Sequence, residues 1–143
     1  MKNYIILFGL GAFSYGLLEV VWRGYTHWTM MIAGGLCFVV FSVISEKLHG
    51  VRLLYKCILG SLTVTAIELV FGGIFNLALN MNVWDYSNIP INLFGQICLL
   101  FSVLWGFLSI VAIPTSGAVL RRLKVNERGQ NHYEISPQSV GGN

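Results

Sequence analysis

The chain has 143 residues, of which 55 % are apolar and only 10 % charged, with a formal net charge of +3. A soluble domain carries about 25 % charged residues, so this composition argues against an ordinary water-soluble fold and points to a bilayer as the solvent. The basic residues lie at the ends of apolar stretches and after the last one, a distribution that orients a membrane protein and offers no nucleic-acid surface.

The first apolar stretch runs from Asn3 to Trp22. Lys2 precedes it, as in a signal peptide, but the stretch is long for one and no small-x-small cleavage site follows, so it is read as a helix of the mature protein. The second runs from Trp28 to Ser45 after a short link, forming a hairpin with the first. Glu46 and Lys47 end it and Gly50 breaks the chain. The third runs from Leu53 to Leu79, longer than the hydrocarbon core requires, with Lys56 snorkelling at its start. A polar, aromatic loop, NMNVWDYSNIPIN, follows from Asn80 to Asn92. The fourth stretch is placed at Leu93–Leu120, with Pro114 expected to kink or end it. Residues 121–143 read as a polar, flexible tail. The expectation is an all-α integral membrane protein, residues 1–120 forming one four-helix transmembrane domain with helices at 3–22, 28–45, 53–79 and 93–120.

Four crossings put both termini and the link at 46–52 on one side. Lys2, Lys47, Arg52, Lys56, Arg121, Arg122, Lys124 and Arg128 lie there, against Arg23 alone on the other. This bias predicts that both termini are cytoplasmic. Trp22, Trp28, Trp84, Tyr25 and Tyr86 then gather at the outer interface, where amphipathic rings are favoured. The two hairpins also echo each other. EVVWRG at Glu19–Gly24 matches ELVFGG at Glu68–Gly73, and CFVVFSV from Cys37 matches CLLFSV from Cys98. A duplication would make the fold two parallel-repeated hairpins with the aromatic loop inserted in the second.

Glu19 and Glu68 are the residues that a lipid environment penalises most. Glu68 lies mid-span, so it must face protein or water. Ser61, Thr65, Glu68, Gly72 and Asn76 share its helix face. In the first helix Gly9, Ala12, Gly16, Glu19 and Arg23 share another, mostly small, face suited to close packing. Glu19 can pair with Arg23 one turn on, whereas Glu68 has no basic residue at that spacing. Two readings stand side by side: a polar core of Glu19, Arg23, Glu68, Asn76 and Gln96 that binds helices together, or one that handles a proton or cation. Asp85 can order its loop or pair with Arg23, Pro90 shapes the approach to the fourth helix, and Asn92 can cap it. His27 lies near these groups, but the spacings specify no metal, and no cofactor is expected. The three cysteines read as apolar fillers. Gly34–Gly35 and Gly72–Gly73 are places where a neighbouring backbone can come close. No phosphate-binding loop, HExxH or GxSxG motif appears, so an energy source has to be an ion gradient or another chain.

The run from Glu68 through WDYSNIPINLFGQICLLFSVLWG to Gly106, together with EVVWRGYTHWTMMIAGGLCF, resembles the "putative ABC-transporter type IV" family of small bacterial permease-like membrane proteins. The resemblance points to Glu19, Arg23, Gly24, Glu68, Trp84, Asp85, Tyr86, Ser87, Asn92, Gly95 and Gln96. Many relatives carry an NRG…GP…PIYG pattern after the first helix; here YTHWTMMIAGG stands in that place, so no role of the proline-rich part carries over. The resemblance implies a permease-like or transport-associated protein; since four helices leave little room for an internal path, the expected partners are a second copy of the chain or a larger membrane complex, a separate ATPase subunit being one candidate. A non-transporting scaffold is the second reading. A membrane enzyme, in which Glu19, Glu68, Asp85 and His27 converge at the outer surface, is the third.

Overall fold

The computed structural model describes residues 1–135, the side chains of 130–135 excepted. Helix α1 spans Lys2–Arg23, α2 Trp28–Lys47 and α3 Leu53–Phe71, the last continuing as a π-helical stretch over Gly72–Ala78. Strands β1 (Asn92–Leu93) and β2 (Ile97–Cys98) form a two-residue antiparallel pair, and α4 spans Leu99–Ile135. Among the described residues, four helices are long and apolar enough to cross a membrane. The chain is an all-α, multi-pass membrane protein. Leu, Ile, Val and Phe side chains cover the outside of the bundle, as lipid contact demands.

Helix α2 is the centre of the bundle. Half of its apolar span is buried inside the protein, against 22 % for each of the other three, and it packs on all of them. Cys37 and Phe41 of α2 meet Val64 of α3 and Trp105 and Ile113 of α4 in the main core. One end of the bundle carries both the N-terminus and the far part of α4. There Asn3 donates to Glu127 at 2.8 Å, and Lys124 pairs with Glu46. The opposite end carries the α1–α2 link and the aromatic loop.

Several boundaries differ from those expected. The fourth helix begins at Leu99, because 92–98 are taken up by the strand pair and a turn with Phe94 and Gly95 at positive φ. It does not stop at Pro114, whose exposed ring leaves one carbonyl without its helical donor but does not break the helix. It also continues through 121–135, expected to be irregular, where Arg, Leu, Lys and Glu are good helix formers and Glu127 and Lys124 are tied to α1 and α2. Residues 136–143 of the expected tail lie outside the described residues. The echoed segments occupy different places: Cys37 lies within α2, whereas Cys98 precedes α4. Gly24 ends α1 at φ +82°, whereas Gly73 lies inside the π-helical stretch.

Glycines set the spacing of α1 and α2. A Cβ at Gly35 would meet the Phe8 ring at 2.7 Å and the Phe8 carbonyl oxygen at 2.9 Å. The carbonyl cannot rotate away, so the helices touch here only because Gly35 has no side chain. Gly11 meets α2 in the same way, but Gly9, expected on the packed face, is exposed with nothing near it. The packed side of α1 is Asn3, Leu7, Gly11, Gly16 and Glu19. Gly73 is likewise free of neighbours, and only Gly72 of that pair makes a close approach. Gly35→Val should therefore destabilise the protein by about 1–3 kcal/mol, while Gly9→Ala should be neutral or slightly stabilising. Thermal unfolding in detergent checks both, and equal behaviour of the two variants would refute the packing account.

Candidate functional site

The site is built where the loop end of α1 meets the loop between α3 and α4. Gly24, in the left-handed region, stops α1 and turns the chain so that Thr26 falls back on the last turn. The Thr26 hydroxyl donates to Glu19 Oε2, and Arg23 pairs with Glu19 Oε1 at 2.7 Å. Both Glu19 oxygens thus have partners in a side chain that is only 8 % exposed. Arg23 also donates to the Val83 carbonyl at 3.2 and 3.3 Å and lies 4.7 Å from the Tyr25 ring centroid. Its contact with Val83 joins the first hairpin to the loop of the second.

That loop is held by two buried amides. Asn76 lies buried within the π-helical stretch, and such wide turns recur at functional sites. Asn76 Nδ2 donates to Trp84 O at 2.9 Å and to Gln96 Oε1 at 2.8 Å, while its Oδ1 accepts from Val83 N at 2.7 Å. Gln96 accepts the Trp84 indole N–H on its backbone oxygen at 2.9 Å and donates its own amide to Phe94 O at 3.0 Å. A Cβ at Gly72 would meet Gln96 Oε1 at 2.5 Å, so the glycine makes room for the amide. Trp84 is therefore not an interface anchor as expected; at 7 % exposure it packs with Met30 and Val83 in a second small core. Trp22, Tyr25 and Trp28 are exposed at that end.

Asp85, Ser87 and Asn92 lie on the loop's exposed side. Asp85 accepts from the Ser87 amide at 2.8 Å and hydroxyl at 2.5 Å, which hold its carboxyl below the usual carboxylate range. It makes no pair with Arg23. Asn92 does not cap α4; it donates to Ser87 O and Ile89 O and accepts from Gly95 N, closing the turn before the helix. His27 caps α2 by accepting from Thr29 N. Neither His27 nor Asp85 shares a hydrogen bond with Glu19 or Glu68, so the four groups weighed for a membrane enzyme are not joined.

Glu68 faces α4, as do Ser61 and Thr65 of its stripe, whereas Gly72 and Asn76 face the loop. Ser61 donates to Ser102 O at 2.5 Å, and Thr65 pairs with the Ser102 hydroxyl at 2.9 Å. Glu68 itself is 4 % exposed. The Tyr86 hydroxyl, reaching down from the loop, donates to its Oε1 at 3.3 Å. Tyr86 is braced by stacking on Phe101, ring centroids 4.7 Å apart. Glu68 Oε2 and the Trp105 indole N–H make no hydrogen bond of good geometry among the described residues, but the indole approaches the carboxyl and is a second, looser donor to it. A cavity of about 280 Å³ opens beside them, bounded by Tyr15, Glu19, Arg23, Tyr86 and Trp105. Tyr15, Thr26 and Trp105 were not singled out in the sequence. A tryptophan and a tyrosine inside apolar helices were the available signal, since each carries a polar atom that lipid cannot satisfy.

The fold and the site together define a small multi-pass membrane protein whose two helical hairpins are joined by a buried polar cluster beside a cavity. The family model described as "Putative ABC-transporter type IV" matches residues 4–134, and the chain belongs to that family. No curated protein and no solved structure matches it significantly.

The amide clamp gives a test of its own. Asn76→Ala strands the Val83 amide, the Gln96 Oε1 and the Trp84 carbonyl, each costing about 1–3 kcal/mol if left without a partner. Hydrogen exchange in detergent should then speed up across 80–98 and leave α2 protected. Asn76→Asp, which keeps the acceptor and loses the donor, should fail in the same direction. Unchanged exchange in both variants would contradict the clamp.

Proposed function

We propose that the protein is a permease-like, transport-associated membrane protein in which Glu68, with Glu19 beside it, handles a proton or a cation. The observation that carries this reading is a carboxyl group in the last turn of α3, 4 % exposed, held by the Tyr86 hydroxyl and a looser approach of the Trp105 indole, with no cation paired to it among the described residues. A carboxylate with a purely packing role would be paired with a cation, as Glu19 is with Arg23. Charge at this depth is costly and is kept where it serves an ion path or a ligand. The family membership supports a link to a transporter.

In this reading both termini lie in the cytoplasm of a bacterial inner membrane and the aromatic loop faces outward, on the strength of the basic residues at the terminal end. Four helices leave little room for a complete path, so the protein works as a homodimer or with a larger membrane partner. A separate ATPase subunit is the partner that the family description suggests. The scaffold reading draws on a different observation. Ile91 and Phe94 stand 74 % exposed at the loop tip, with φ of +55° and +52°. Strained apolar residues held outward suit a partner contact.

Glu68→Gln keeps the shape and the Tyr86 contact and removes the charge. Proteoliposomes bearing the wild type should dissipate an imposed proton or monovalent-cation gradient, and the variant should lose that activity while unfolding at a similar temperature. Retained flux in a folded Glu68→Gln protein would rule the reading out.

A further inference from the structure

The cavity beside Glu19 is the upper part of a longer groove. A second cavity of about 330 Å³ continues from it between α1 and α4, sharing Tyr15, Leu18, Trp105 and Leu108 as walls and ending near Gly11 and Thr115. From Arg23 to Gly11 along α1 the groove covers roughly 18 Å at 1.5 Å per residue. The hydrocarbon core is about 30 Å thick, so the groove matches a single leaflet. Helices α1 and α4 touch far less than α1 and α2 do. Leu18, Leu104 and Leu108 on the rim are 38–47 % exposed, so the groove opens sideways, toward lipid.

Its two ends differ in chemistry. The lower part is apolar apart from the hydroxyls of Ser14 and Thr115, and Thr115 is bonded to its own helix at Val111 O. The upper part has Tyr15, Trp22, Trp84, Tyr86, Phe101 and Trp105 on its walls. Glu19 opens onto it; Glu68 is not on the wall but lies behind Tyr86 and Trp105, both of which approach its carboxyl. The one cation there, Arg23, is committed to Glu19, the Val83 carbonyl and the Tyr25 ring. On the wall itself the charges of Glu19 and Arg23 offset each other, so the preference comes from the aromatic faces and the Glu68 carboxyl behind them, which favour an organic cation over an anion.

We infer that the α1–α4 groove binds a single-chain amphiphile with a cationic ammonium head, the head among the aromatic rings above Glu68 and the chain running between Leu18 and Leu108. The inference rests on the cation-handling reading of Glu68 and extends it to a substrate class that enters from the lipid. The groove is open on the lipid side, which allows such a molecule to reach the site without crossing the aromatic loop.

The test uses the full chain in phosphatidylcholine nanodiscs and two radiolabelled probes, dodecyltrimethylammonium and its neutral isostere with a quaternary carbon in place of nitrogen. The ammonium probe should bind on the order of tenfold more tightly than the isostere. Glu68→Gln should erase that preference, and Leu108→Trp should weaken both probes by filling the shared wall. Leu18→Trp, on the facing helix, gives the same readout if Leu108→Trp does not fold. Equal affinity for the two probes in the wild type overturns the ammonium assignment. Binding unaffected by either Trp variant overturns the groove as its location. Efficient disulfide formation between two copies through Leu18→Cys, with probe binding excluded, shows a second chain in the groove and also overturns it. If Glu68→Gln abolishes gradient dissipation but the probes bind alike, this inference fails alone. If it leaves flux intact while erasing an ammonium preference, the permease reading fails and the binding site stands.

Discussion

The structure depends on the hydrogen bonds that Asn76 makes to the loop beyond it. Irregular backbone next to a bilayer is tolerated only where protein satisfies its N–H and C=O groups. The chain between α3 and α4 leaves helical geometry and passes through four non-glycine residues at positive φ. Asn76 supplies a donor and an acceptor to Trp84 and Val83, and its link to Gln96 closes the loop on itself. Without this pair of amides the aromatic segment would have no fixed position over the helices.

Everything distinctive about the site follows from that position. With the loop clamped, Tyr86 stacks on Phe101 and reaches Glu68, and Val83 presents its carbonyl to Arg23. Arg23 in turn neutralises Glu19. One chain of contacts therefore runs from the end of α1 through the loop to the last turn of α3. The two carboxylates differ within it: Glu19 is paired with a cation, whereas Glu68 meets only the neutral Tyr86 and Trp105 donors. The Tyr86 and Trp105 rings that cover Glu68, the adjacent cavity and the lateral groove lie together on the side of the bundle where α1 and α4 separate. At the other end, Asn3, Glu46, Lys124 and Glu127 tie α1, α2 and α4 together across the terminal face.

Much of the fold was legible because lipid enforces a simple rule: apolar runs of about 20 residues become spans. The pairing of Glu19 with Arg23 was legible from a one-turn spacing, and the inward face of α3 from polar residues at helical intervals. Other features depend on tertiary contacts and leave little local trace. Residues 93–98 read as the start of an apolar helix, yet Asn92, Gly95 and Gln96 use their hydrogen bonds to close a turn, and that competition favours the turn. Trp84 looked like an interfacial anchor because its neighbours are polar; the Gln96 carbonyl, which takes its indole N–H, is distant in sequence. The helical stretch beyond Leu120 was hidden by its polarity, since its stabilising partners, Asn3 and Glu46, come from other helices. The echoed segments occupy different local structures, Cys37 lying within α2 and Cys98 just before α4.

The central claim is that the clamped loop places the Tyr86 hydroxyl on the Glu68 carboxyl inside the membrane. Isotope-edited infrared spectroscopy of the reconstituted protein, with the Glu68→Gln spectrum subtracted to isolate the Glu68 band, tests it directly. Loss of a hydrogen bond shifts a carboxyl band whichever protonation state is present. Tyr86→Phe should move the Glu68 band, and Asn76→Ala should move it in the same direction by releasing the loop. A Glu68 band that stays in place when the Tyr86 hydroxyl is removed would contradict the account.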